Sequence, residues 1–221
     1  MTDVLYRWPE AAKFGRRVPK EKFYEHGVVN TAVREKFVSE LARVTWDYKL
    51  AESTINLPGT SAVPEVQVLT LDAKTDDVGE AVLGAIDRAI PFPIIFEITR
   101  STAEQPEVRT VAAHKQLRAG APKLSAYYST GWQPGDAQRQ PLPTAINLPA
   151  LYTALLQPLT PITVRPGEEM SEVADRLAAV RKLEREIAAL ERKLRTEPQL
   201  NRKVELRRTL KTKQRELEQQ R

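Results

Sequence analysis

The sequence predicts an α/β body, built as a small mixed sheet with a βαβ unit and flanking helices, followed by a C-terminal antiparallel helical hairpin of coiled-coil type. Three observations point there. Between residues 30 and 157 the apolar positions switch back and forth between a period of two and a period of 3.6, as strands and helices in alternation require. Pro158, Pro161 and Pro166 then break that pattern with an extended, semi-rigid stretch. Beyond it the apolar residues step by three and four up to Pro198 and resume after it, which folds a long helix back on itself. The expected division is a body at 1–157, a linker at 158–167 and a hairpin at 168–221.

Each element has a local reason. Residues 30–42 set Val33, Phe37, Val38 and Leu41 at helical spacing behind Asn30 or Thr31, either of which can cap the free amides. Val44, Trp46, Tyr48 and Leu50 alternate with Thr45, Asp47 and Lys49, the rhythm of a half-buried strand. A strand is predicted over 63–71, with Val66 and Val68 on one face and Glu65 and Gln67 on the other. Over 77–89, Val78, Val82, Ile86 and Ala89 form one helical stripe. Pro91 and Pro93 stop that helix, and the apolar run 93–98 reads as a central strand, so strand, helix and strand make a βαβ unit with the usual right-handed crossover. Strands over 108–114 and 124–130 form a hairpin or meander. A loop at 131–143 and a short helix at 147–157, with Pro149 in its first turn, complete the body.

In the hairpin, Met170, Val173, Leu177 and Val180 define one seam and Leu183, Ile187, Leu190 and Leu194 another, joined by a single skipped step. The second four are candidates for pairing with a protein partner. On the other arm Leu206, Leu210 and Leu217 share their seam with Lys203 and Lys213, which predicts looser pairing. From 199 to 221 there are eight Lys or Arg against three Glu, an excess equal to the net +5 of the whole chain. Lys203, Arg207, Lys211 and Arg215 recur every four residues, with Arg208 beside them. Such a ridge places cations about 6 Å apart, suited to a phosphate backbone. The competing reading is a solvated flank neutralised by Glu184, Glu186 and Glu191 on the first arm. The hairpin contains no aromatic residue to stack on bases.

The absence of cysteine excludes disulfides, thiol catalysis and thiolate zinc sites, and His26 and His114 are too few for a histidine-rich metal centre. A pI near 9.4 favours an anionic partner. The longest apolar runs fall short of a membrane span, and the opening MTDVLYRWPEAAKFGRR lacks a signal-peptide core, so a cytoplasmic protein is expected. No Gly-rich phosphate loop occurs. Glu65, Gln67, Asp72, Lys74 and Glu97 raise the acid-acid-lysine set of metal-dependent nucleases, but Thr99 stands where a lysine is needed after Glu97, and Asp72 and Lys74 are expected in a turn. Asp87 is expected to anchor the Ile90-Pro91 turn. Tyr127, Tyr128 and Trp132 are expected to pack rather than stack on bases. No catalytic residue, metal or cofactor is assigned.

Five stretches resemble one family: FVSELARVTWDYKLAESTINL at 37–57, VPEVQVLTLDAK at 63–74, IDRAIPFPIIFEI at 86–98, LPTAINLPALYTALL at 142–156 and EPQLNRKVELRRTLK at 197–211. They are similar to the bacterial and archaeal DUF4391 family, while 103–123 departs from it. The resemblance brings no catalytic residues. It implies an accessory role beside helicases, DNA methyltransferases and anti-phage systems. The expected function is therefore a non-enzymatic binding subunit that contacts a larger helicase- or methyltransferase-type partner and, through the ridge, nucleic acid. A divergent metal-dependent nuclease and a homodimer formed through the hairpin are the alternatives.

Overall fold

The computed structural model describes residues 3–26, 29–102, 105–117, 122–162, 165 and 168–220, the side chains of Glu25 and His26 excepted. It comprises two units, Met1–Pro161 and Ile162–Arg221. The division falls inside the expected linker. The linker's first residues belong to the body, because Gln157–Leu159 form a 3-10 turn after the last body helix and bury Leu159.

The body is organised on a seven-stranded sheet: β1 (Lys13–Arg17), β2 (Leu41–Ala51), β3 (Glu65–Ala73), β4 (Ile94–Ser101), β5 (Pro106–Gln116), β6 (Lys123–Ser129) and β7 (Gln133–Pro134). The first six lie in chain order, and β7 pairs with β5. Only β3 and β4 run parallel, with α4 (Glu80–Ala89) between them, so the βαβ unit is present within an otherwise antiparallel sheet. The other body helices are α1 (Glu21–His26), α2 (Thr31–Glu40), the single turn α3 (Glu52–Ile55) and α5 (Leu148–Leu156).

Strand register sorts the core into two faces. Trp46, Leu69, Phe96 and Val111 form one row across β2 to β5, and they pack with Phe23, Phe37, Val82 and Ile86 in a single apolar cluster. Tyr48, Val68, Ile95, Ala112 and Tyr128 form a row of opposite facing, and α5 contacts β3 and β5. Tyr152 of α5 donates its hydroxyl to Ala113 O at 2.8 Å.

Several expectations need correction. The helix over 30–42 ends at Glu40; its cap is Asn30, whose Oδ1 accepts from Val33 N at 2.9 Å, and Leu41 already belongs to β2. Within the helix proper only Phe37 is fully buried, and Val38 is 58% exposed. The missing apolar grip is offset by two lysines at the helix's C-terminal carbonyls: Lys20 bonds Phe37 O and Leu41 O, and Lys74 bonds Val38 O at 2.7 Å. Asp72 lies within β3, not in a turn. β1 and α1 had no sequence signal: KFGRR is an edge strand exposed except at Phe14, and it bulges where Gly15 takes φ +61°. Among the described residues no helix is long and apolar enough to cross a membrane.

The second unit consists of α6 (Met170–Thr196) and α7 (Leu200–Gln220). A capping box opens α6, with Glu169 N donating to Glu172 Oε2 at 2.9 Å. Three residues separate the helices, and Arg176 near the start of α6 donates to Gln220 O at the end of α7, so the pair is antiparallel.

Candidate nucleic-acid interface

Burial along α6 and α7 separates the seam from the free face. On α6, Leu183 is buried and Ile187, Leu190 and Leu194 are half-buried; on α7 Lys203, Leu206, Leu210, Lys213 and Leu217, at steps of three and four, are half-buried, as are Glu216 and Gln220. These two lines face each other. The four α6 residues expected to serve partner binding are therefore engaged in the intramolecular pairing. The two lysines expected in the α7 seam are there, and Lys213 is met by Glu186 of α6 at 3.2 Å and by Glu216 at 2.9 Å. Both carboxylates hold the Lys213 ammonium above its ordinary range.

That pairing decides which cations remain free. Of the three α6 carboxylates expected to neutralise the ridge, Glu186 is taken by Lys213 and Lys182. Arg207, Arg208, Lys211 and Arg215 are exposed, and none has an ion-pair partner among the described residues. Lys203 is half-buried in the seam and belongs less to the outer face. On a helical wheel the four free cations fall on one side of α7, together with Leu200 and Val204, which are 72% and 41% exposed near the turn. Exposed Glu218 lies on that side as well, and the side nearer Glu186 carries Arg202, Glu205 and Glu216.

The body treats its charges differently. Lys115 Nζ is fully buried, 2.7 Å from Asp87 Oδ1, and it donates to the carbonyls of Asp87, Ile90 and Phe92 at 2.7, 3.0 and 2.8 Å. Three hydrogens thus go to three carbonyls at the C-terminal end of α4, and Oδ1 is met by charge alone. Tyr127 closes the other side of the carboxylate, donating to Asp87 Oδ2 at 2.6 Å. Burial pushes Asp87 up and Lys115 down, and their mutual attraction opposes both shifts. The turn after α4 is held by Lys115, with the Asp87 carboxylate as its counterion rather than as the anchor itself; that lysine, 28 residues away, left no mark in the sequence.

Glu97 is equally committed. Arg139 grips its two oxygens at 2.7 and 3.0 Å, Trp8 Nε1 donates to it at 2.8 Å, and Arg139 also bonds Tyr6 O. This side chain ties the N-terminal segment and the 131–147 loop to the centre of the sheet. Asp72 shares that face of the sheet but pairs with Arg43 at 2.6 Å and accepts from Thr99 Oγ1 at 2.9 Å, while Lys74 is spent on α2. Glu65 pairs with Lys49 at 2.8 Å. Among the described residues no group of three or more His, Asp and Glu is arranged to hold a metal.

The aromatic residues pack as expected. Tyr128 is buried, and Trp132 lies under Arg100 and Arg109, whose guanidinium carbons stand 4.0 and 5.0 Å from its ring centroid. The His114 ring stacks on Tyr152 at 5.9 Å. The His26 side chain lies outside the described residues.

The family model described as "Domain of unknown function (DUF4391)" matches residues 7–217 of the chain. No curated protein and no solved structure matches it.

Proposed function

We propose that this chain, which belongs to the DUF4391 family, works as a non-enzymatic binding subunit whose α7 lays its basic side along the phosphate backbone of a nucleic acid. The observation that carries this reading is the row Arg207, Arg208, Lys211 and Arg215, exposed and without ion-pair partners among the described residues. An unpaired cation on a rigid helix can displace counterions from phosphate without first breaking an internal salt bridge. A backbone contact of this kind positions the protein and reads no sequence. Leu200 and Val204 beside the row offer a protein surface an apolar step, consistent with assembly onto a larger DNA-processing partner of helicase or methyltransferase type.

The test is a titration of labelled duplex and single-stranded DNA at several salt concentrations. Binding through the row gives a log–log salt slope of about −0.9 per duplex phosphate contacted. Replacing Arg207, Arg208, Lys211 and Arg215 by alanine removes most of that slope. Undetectable association at low salt, or a slope untouched by the four substitutions, overturns the reading.

A further inference from the structure

The body contains a cavity of about 340 Å³ whose walls include Phe23, Trp46, Leu69, Ile90, Phe92 and Gln67. Its volume lies at the lower end of small-molecule sites, about 300–1,000 Å³. An apolar cavity of about 150 Å³ takes up benzene, so this one has room for a bicyclic ring. Apart from Gln67 and the exposed Lys22, the lining side chains are apolar or aromatic.

Gln67 makes the cavity specific. It is 4% exposed. Its Nε2 donates to Glu65 Oε1 at 2.7 Å, and Glu65 is held from its other oxygen by Lys49 at 2.8 Å. A carboxylate only accepts, so the amide must turn its nitrogen to Glu65 and its oxygen away from it. That Oε1 has no partner among the described residues and is not itself sealed from solvent, so it is open to a donor brought by a ligand. Three other polar groups of the wall are occupied. Trp46 Nε1 donates to Tyr48 O at 3.1 Å, and the carbonyls of Ile90 and Phe92 accept from Lys115. The same lysine pins the 90–92 turn, so that wall is preformed.

We infer that this cavity binds a small aromatic molecule with one ring N–H or O–H donor, the ring filling the apolar space and the donor meeting Gln67 Oε1. The full-length protein titrated with indole, followed by protein-observed NMR, shows saturable shifts at residues lining the cavity. Benzofuran, an isostere without the donor, binds about tenfold more weakly, the weight of one such hydrogen bond. Gln67→Leu brings the two ligands to parity, and Ala89→Leu, which narrows the cavity, weakens both. The indole–benzofuran comparison on the unaltered protein stands even if a variant fails to fold. Equal affinity for the two rings, or no saturable indole binding in the millimolar range, overturns the inference.

Discussion

In the body, Lys115 and Asp87 have side chains 0% and 1% exposed and meet at 2.7 Å. On α7, Arg207, Arg208, Lys211 and Arg215 stand in solvent with no carboxylate against them among the described residues. Charged side chains thus serve opposite ends. A buried ion must be matched by charge and hydrogen bonds or it destabilises the fold, so each body charge is tied to particular elements: Lys115 to the end of α4, Glu97 to the N-terminal segment and the 131–147 loop. An exposed cation adds little to stability and remains available to a ligand.

The sharpest way to break this contrast is Lys115→Met, which leaves Asp87 buried without its counterion and three carbonyls without a donor. A loss of about 3–5 kcal/mol is expected from chemical denaturation. In the double variant with Asp87→Leu the two losses are less than additive, since the orphaned charge is gone. A Lys115→Met variant as stable as the unaltered protein would end the argument that charge here is architectural. Glu97→Gln comes next: one oxygen facing Arg139 becomes an amide, and about 1–3 kcal/mol is lost, with Trp8 fluorescence reporting a loosened N-terminal segment.

A smaller effect is expected in the second unit, where Arg176 holds the Glu168 carboxyl down to about 2 from an ordinary 4.5. A depressed acid contributes stability that is fully present above its unfolded value. Hydrogen-exchange protection at the start of α6 should therefore decline as pH falls from about 4.5 towards 2, and Glu168→Gln should remove that dependence. Smallest of all in stability are alanine substitutions at Arg207, Lys211 and Arg215. The melting temperature should not move, while each substitution lowers the salt slope of DNA binding by about one.

Much of the fold was legible because burial imposes a period. The β3–α4–β4 unit, the paired α6 and α7 and the placement of Lys203 and Lys213 in the α7 seam follow from spacing alone. β1 and α1 were missed because an edge strand exposed on nearly every residue and a six-residue helix bury too little to impose a pattern. Asp72 was misplaced because a strand can run on past its apolar positions while backbone pairing continues, here with Arg43 and Thr99 opposite. The basic row was readable in the sequence. Its freedom from neutralising carboxylates was not, since that depended on Glu186 meeting Lys213.

The order of elements, the division within the proline-bearing stretch and the excess of positive charge on the last helix were set by the sequence, because periodicity, proline geometry and charge are local properties of a chain. Tertiary structure alone decided which charges are spent and which are free. Lys115 meets Asp87 across 28 residues, Glu97 meets Trp8 across 89, and Gln67, bonded to Glu65, lines a cavity together with the 90–92 turn. The physical reason is that a hydrogen bond depends on distance and direction, and those exist only once distant strands lie side by side.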